Sequence, residues 1–541
     1  MKKALAFALA LSMVTTSLVA CGSSSSSDQT TTTPSTTETT DTSTSTDTSV
    51  TETPGADISE HVTLKMYFHG SNVSDDTAVM AEVNAYLGEQ LNVTLEPIWG
   101  TWGDFDTNAV LALQTGDAVD IYFTCSWSAN EYNRFARDGY WLRLDSDDNN
   151  LIEQYGQDIW NTLPNVLTTG ALANGADGVG VYAVPGLKDY AIQNCWDVNV
   201  TLLEKYGYTV EDIANTDYYG FGEILETVKA GEGADFYPLL VEGAVLERMV
   251  NDSIIVAGDN GSVNLLSYYL NSDNVSADSA YGNTLVNKFA TDEYKTFVEQ
   301  TYEYAQAGYI DPAMGNANQA NETRTNTQLA GNYLIGTQSY ALGYEVQASA
   351  DRGIEVAFVP TTSPYVDTTA SQGAMMAIST ASKNPERAMM FLNLLNTDEY
   401  LMTLLNYGVE EVHYAYNDNG LIEFTDERGN YSPWRNGMGN ITILPVMEGE
   451  GDANYWEDTF LAYYNTAKEI PILGYTFDPS DVEIQSAALA NVAAQYALPL
   501  STGQVDPATQ LEAFNNALTS AGMEEYLSAA QAQLDEFLAN K

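Results

Sequence analysis

Thirty-five tyrosines and eight tryptophans make aromatic rings the most distinctive chemistry of this sequence. Several sit where a strand should end or a loop begin. Trp99 and Trp102 flank a glycine-containing turn, Trp127 follows an apolar run, Trp196 follows another, and Trp434 lies in Ser432-Pro433-Trp434-Arg435-Asn436-Gly437. A sugar presents an apolar C–H face that stacks on such a ring, and its hydroxyls need carboxylates, amides or Arg as partners. Each stacked ring contributes about 0.5–1.5 kcal/mol beyond the area it covers. Any single Trp is equally at home in a core, so the expectation attaches to the group, with Trp127 and Trp434 foremost. Asn130, three residues beyond Trp127, joins it as an amide. His413 has two roles open to it, structural histidine or polar ligand contact. Lys and Arg number only 20, so Lys188, Arg324 and Arg435 stand out. One of them would have to meet a ligand carboxylate; the alternative is a local salt bridge.

Bond-breaking chemistry finds no motif. His61, His69 and His413 are the whole histidine complement, and none belongs to HExxH. GxSxG, Walker A, GxGxxG and CxxC patterns are absent from the sequence. Asp145, Asp147 and Asn149 imitate the start of a calcium loop, but Asn150 stands where Gly is needed and Gly156 where Glu is needed. With 74 carboxylates, no acid–base pair can be singled out. The reading is therefore a binding protein and not an enzyme, with no cofactor and no metal. A secreted carbohydrate-active enzyme remains the rival, since it would share the aromatics and the carboxylates. The formal charge of −54 repels phosphate backbones, which excludes nucleic acid as a partner.

These residues need elements to hold them. Val62–Phe68 alternates as a strand, Asp75–Gln90 is helical, Val93–Trp99 is a second strand, Asn108–Gln114 a helix ending at Gly116, and Asp120–Phe123 a short buried strand. Strand–helix alternation of this kind builds a parallel α/β sheet, whose ligands sit beyond the carboxyl ends of the strands. That points to Trp99–Trp102 and to Ser126–Asn130. Val179–Pro185 and Tyr190–Val198 read as strands leading out. A second α/β region runs to about Val359, with helices expected at Val200–Tyr206, Gly222–Gly231 and Glu293–Ala307. Phe358–Pro360 and Ala374–Ile378 read as returning strands, and Asn384-Pro385 as the cap and first turn of a helix. A hairpin is expected around Asn419-Gly420, and a mainly helical tail over Val482–Leu538. At the other end, Lys2 and Lys3 followed by apolar Ala4–Val14 read as a signal peptide over residues 1–20. Leu18-Val19-Ala20-Cys21 resembles the bacterial lipobox, in which the Cys thiol is lipidated. Residues 21–57 then form a Ser/Thr-rich, acid-bearing tether with almost no large apolar side chain, reaching about 30–35 Å as a coil. Several acyl chains on Cys21 would hold the chain to a membrane. Cys125 and Cys195 remain, read as buried apolar residues with a disulfide as the alternative.

Together these features resemble the extracellular solute-binding lipoproteins of bacterial ABC importers, specifically the carbohydrate-type group and its long subgroup with an extra C-terminal domain. The resemblance is carried by Gly139-Tyr140-Trp141-Leu142-Arg143-Leu144-Asp145, Val181-Tyr182-Ala183-Val184-Pro185, Ser382-Lys383-Asn384-Pro385-Glu386-Arg387-Ala388-Met389 with its continuation to Asp398, Leu404–Glu410, and Pro471-Ile472-Leu473-Gly474-Tyr475-Thr476-Phe477-Asp478. It implies an α/β, two-lobed periplasmic-binding-protein-like fold of type II, with hinge-connected lobes and a cleft between them. Lobe 1 would comprise residues 58–188 and 362–405, and lobe 2 residues 189–361 and 406–541 including the helical extension. It further implies capture of a solute, an oligosaccharide or alternatively a peptide or other small molecule, and delivery to ABC permease subunits by a monomer on the outer face of the cytoplasmic membrane. Ser126, Trp127 and Tyr340 occupy positions where ligand contacts of that family fall. Ser126-Trp127 also replaces an acidic contact usual after the third strand.

Overall fold

The computed structural model describes residues 57–101, 104–241 and 284–541, together with the strands Ile254–Ala257, Leu265–Leu270 and Val275–Ser276. The signal-peptide, Cys21 and Trp102 expectations, and all of the tether but Asp57, lie outside the described residues.

Leu64 and Met66 are buried while Lys65 between them is exposed, so the first strand settles with one face in the core. It extends over Val62–Val73 and pairs in parallel with Val93–Gly100 on one side and Ile121–Thr124 on the other. The helix Asp76–Leu91 between the first two strands buries Val79, Met80, Val83 and Leu87 against the sheet. The next helix starts earlier than Asn108, at Phe105, and stops at Gly116, whose φ of 72° closes it with a left-handed turn. Beyond Ile121–Thr124 the sheet stops being parallel. Met375–Ile378 lies antiparallel to that strand, and Ala183–Pro185 antiparallel to Met375–Ile378. A chain segment from far downstream thus sits in the middle of the first sheet, so the chain leaves this lobe after Pro185 and returns at Met375.

The second sheet runs Val356–Pro360, Asn194–Asn199, Ile335–Ser339, Leu239–Leu240. The strand following Tyr190 is shorter than its sequence suggests and begins at Asn194. Its centre holds a buried ion pair: Arg352 lies 2.8 Å from Asp197, which also accepts from Tyr333 Oη at 2.7 Å and Gln328 Nε2 at 3.0 Å. Two buried charges persist only when paired and hydrogen-bonded in this way. Cys125 and Cys195 are buried and form no disulfide; the Cys195 thiol donates to Gln338 O at 3.2 Å.

Pro385 does start the helix Pro385–Thr397, but Asn384 makes no side-chain cap. The hairpin forms as Tyr414–Tyr416 against Ile422–Phe424, with Gly420 at φ 75°. Its sequel departs from the linear division at residue 406: Tyr431–Pro433 is hydrogen-bonded antiparallel to the end of the first strand, Val73 facing Tyr431 and Gly70 facing Pro433. That part of the chain belongs with the first sheet. The chain then goes over to the second lobe. The helices Glu483–Ser501 and Pro507–Ser520 pack on Asp292–Gln306, and Met523–Asn540 packs against them. At the crossing, Tyr365 exchanges both backbone hydrogen bonds with Ile192, at 2.7 and 2.9 Å, while Lys468 N donates to Pro364 O at 3.0 Å and Ile470 N to Val366 O at 3.1 Å.

Candidate functional site

The carboxyl ends of the three parallel strands carry an aromatic cluster. His69, near the carboxyl end of the first strand, stacks on Phe105 with ring centroids 3.8 Å apart. Phe123, from the third strand, meets His69 edge-on at 5.2 Å and Trp434 at 5.4 Å. Trp127 completes the group, 6.0 Å from Trp434 at 81° and 6.3 Å from Phe123. Trp127 is 48% exposed, an unusual state for so large a ring, and Trp434 is half-buried. Local structure fixes both rings. Trp127 Nε1 donates to Gly373 O at 2.7 Å. Trp434 lies flat on Gly437, where a Cβ would come within 2.5 Å of Trp434 Cε3 and 2.8 Å of Phe68 Cζ. Trp99 packs the same way on Gly70 and edge-on to Phe68 and Tyr431.

A second aromatic group lies on the other lobe. Tyr340 follows the strand Ile335–Ser339, its amide donating to Gln193 O at 2.7 Å and its ring 5.7 Å from Tyr463 and 6.4 Å from Phe358. Tyr344, 37% exposed, tilts against Phe358 at 5.6 Å. Tyr463 hydrogen-bonds through its hydroxyl to Gln193. Arg435, adjacent to Trp434, joins the two groups. Its guanidinium sits 5.7 Å from the Trp456 ring, and Trp456 leads through Phe460 and Tyr464 to Tyr463.

The structure therefore brings Trp127 and Trp434 together, reaches Trp99 only through Phe68 and Phe123, and sets Tyr340 in the second aromatic group. Other expected residues go elsewhere. Trp196 is 1% exposed in the middle of its strand, stacked on Tyr218 and edge-on to Phe221, because both faces of that strand are covered. His413 is fully buried: Nδ1 accepts the Val409 amide at 3.0 Å and Nε2 faces Asp75 at 3.5 Å, a structural role. Arg435 has its charge met by Glu450 at 2.8 Å, and Lys188 by Asp189 at 3.0 Å. Ser126 is buried with its hydroxyl donated to Thr369 O at 2.8 Å. It borders a cavity of about 70 Å³ shared with Glu131, Gln372 and Tyr475–Phe477 of the extension, room for roughly two waters. A larger groove of about 420 Å³ between the helix Asp76–Leu91 and the strand Val93–Gly100 contains none of these aromatics. Sequence reasoning passed over His69, Phe105, Phe123, Tyr463 and Gln193, which become neighbours only through the fold.

Electrostatically the cluster is quiet. Burial pushes His69 down to about 4 against the pull of Asp106, so its imidazole is neutral at physiological pH. Burial also pushes the Cys125 thiol up to about 11 and raises the Tyr340 phenol. Among the described residues no three His, Cys, Asp or Glu side chains gather as a metal site, and no helix is long and apolar enough to cross a membrane. Rings, amides and hydroxyls arranged this way, with the Asp106 carboxylate beside them, stack and hydrogen-bond.

Residues 70–402 match the family model for bacterial extracellular solute-binding proteins. The chain belongs to that family. Residues 471–539 of this solute-binding protein, its C-terminal extension, match a domain family of unknown function. A carbohydrate ABC transporter substrate-binding protein of Streptococcus pneumoniae is 26% identical over 492 residues, spanning 90% of this chain and 93% of that protein. Among solved structures, the N-glycan transport solute binding protein of Streptococcus pneumoniae superposes with a TM-score of 0.71 at 24% identity, covering 89% of this chain and 100% of that one. A solute binding protein of Bifidobacterium longum infantis associated with an ABC transporter gives a TM-score of 0.57 at 15% identity, covering 88% and 99%. The two-lobed α/β fold is shared across these relatives.

Proposed function

We propose that this solute-binding protein is a membrane-anchored extracellular receptor that captures an oligosaccharide and hands it to an ABC importer. The observation that carries the reading is the Trp127–Trp434 pair: a large indole nearly half open to solvent, fixed at right angles to a second, at the edge where an α/β sheet receives ligands. Trp99 and Asn130 flank it on the same lobe, and Tyr340 contributes from the other. A sugar stacked on Trp127 and reached by Tyr340 favours a closed form over an open one, and the differential affinity between the two drives closure. No bond is broken, in keeping with a sequence that carries no catalytic motif. Support for a saccharide comes also from the relatives, one named for carbohydrate transport and one solved with Man1GlcNAc and Man5GlcNAc. In this reading Cys21 is lipidated, residues 22–57 are the leash, the permease subunits recognise the closed form, and the receptor works as a monomer on the outer face of the cytoplasmic membrane.

The test is a thermal-shift and calorimetric titration with Man1GlcNAc and Man5GlcNAc, followed by mass spectrometry of the recovered sugar. A ligand at a hundredfold its Kd stabilises the native state by about 2.7 kcal/mol. Binding with intact recovery is expected. Cleavage products would favour the enzyme reading, and no shift with any saccharide would remove sugar as the ligand class.

A further inference from the structure

The aromatic site holds polar atoms whose hydrogen-bonding capacity the fold leaves unused. Asp106 stands in the first turn of the helix Phe105–Thr115, directly after the ring that stacks on His69. One of its carboxylate oxygens accepts the Ala129 amide at 3.3 Å, two residues from Trp127; the other, Oδ1, is buried without a hydrogen-bond partner. Asn130, on the same loop, is fully buried, donates Nδ2 to Phe123 O, and likewise leaves Oδ1 without a partner. Trp99 Nε1, at the end of the neighbouring strand, is a buried donor with no acceptor. Native folds seldom leave such groups unmet, and an unpaired carboxylate oxygen is the least favourable of the three. Three of them at one end of one sheet, beside a half-exposed indole, mark a place arranged for something other than stability.

We propose that Asp106 is the specificity-determining carboxylate of the saccharide site, accepting hydroxyl hydrogen bonds from the sugar that stacks on Trp127. The proposal rests on the reading of this aromatic edge as the sugar site. A carboxylate suits the task because it only accepts, whereas every sugar hydroxyl can donate. The Ala129 bond is long, and the Asp χ2 torsion is broad, so turning Oδ1 toward the indole face disturbs little else. Asp106 also explains how a loop whose own residues, Ser126 to Asn130, carry no acid can still present one.

The test uses the full chain and Man1GlcNAc, with a series of its monodeoxy analogues. Asp106→Asn keeps the shape and the acceptor for Ala129 but turns the other position into a donor. Its affinity should fall about 10- to 100-fold, the range for a hydrogen bond to a charged group, while the melting temperature without ligand stays level or rises. One deoxy analogue that binds wild type more weakly should bind Asp106→Asn no more weakly than the parent sugar does. An Asp106→Asn variant that binds within twofold of wild type overturns the proposal. So does one that loses melting temperature and affinity together while every deoxy penalty survives, because that is the signature of a structural residue. If wild type binds no saccharide, the reading of the whole site has failed before Asp106 is questioned.

Discussion

Replacing Trp127 by Ala tests the site at its most exposed point. A tryptophan side chain offers up to about 250 Å², so at 48% exposure about 120 Å² faces solvent. A sugar ring covers one of the two indole faces, about 60 Å², which at ~25 cal/mol per Å² is worth about 1.5 kcal/mol. Stacking adds about 0.5–1.5 kcal/mol. The sum of about 2–3 kcal/mol corresponds to a loss of roughly 30- to 150-fold in affinity. The fold pays separately, because Gly373 O loses its 2.7 Å donor and Phe123 and Trp434 lose a neighbour. A melting temperature lower by several degrees is expected, with the unfolding transition still cooperative. Trp127→Phe helps separate the two effects: it keeps a ring to stack on, smaller by one fused ring, and loses the indole N–H. Calorimetry with Man1GlcNAc or Man5GlcNAc, on variants whose circular dichroism matches wild type, reads the outcome. A well-folded Trp127→Ala protein that binds within twofold of wild type would show that no sugar rests on this ring.

Gly437→Ala should weaken binding without touching the ligand, because the new methyl would come within 2.5 Å of Trp434 Cε3 and displace the ring; titration should show the affinity loss, with a stability cost of about 1–3 kcal/mol. In the second lobe, Asp197→Ala strands Arg352 in a buried site and should cost about 3–5 kcal/mol in urea unfolding, and an Asp197→Leu, Arg352→Met double variant should recover much of it. His69 supplies a pH dependence with a definite sign. Its folded pKa of about 4 lies below the ordinary 6.5, so the unfolded chain takes up the proton first as the medium is acidified. The stability tied to neutral His69 is therefore complete above pH 6.5 and declines toward pH 4, by about 3 kcal/mol in all. Urea midpoints at pH 7 and pH 4.5 should show this decline reduced in His69→Phe, which keeps the stack on Phe105; an equal decline in both proteins would contradict the assignment.

The strands Val62–Val73, Val93–Gly100 and Ile121–Thr124 were legible because alternation and short apolar runs are local signals, and so was the carboxyl edge they share. Trp127 could be picked out because it follows a short apolar run, and Trp434 because it stands in a loop marked by Pro433 and Gly437. Trp196 could not be told from them: Asn194–Asn199 is buried along its whole length, so the ring that seemed to follow a strand lies inside one. The Tyr431–Pro433 strand escaped notice because three residues carry no period, and its partner is some 360 positions away. Asp106 was hidden twice, as one of 74 carboxylates and because the helix that bears it begins at Phe105 and not at Asn108. His413 Nδ1 is met by the Val409 amide and Arg435 by Glu450, partners that no spacing announces.

The backbone ladder at the crossing, Ile192 to Tyr365 and then Pro364 and Val366 to Lys468 and Ile470, joins three passages of chain side by side. A clamp held by two ribbons can shear and twist as well as shut; stitching a third alongside removes those freedoms and leaves chiefly one pivot. Recognition energy gathered at the jaws is then channelled into that single movement. The sequence that brings Lys468–Glu469 to the ladder also leads into the C-terminal helices. The extension thereby acts as a brace across the joint, and cutting it should loosen the swing before it unfolds either half.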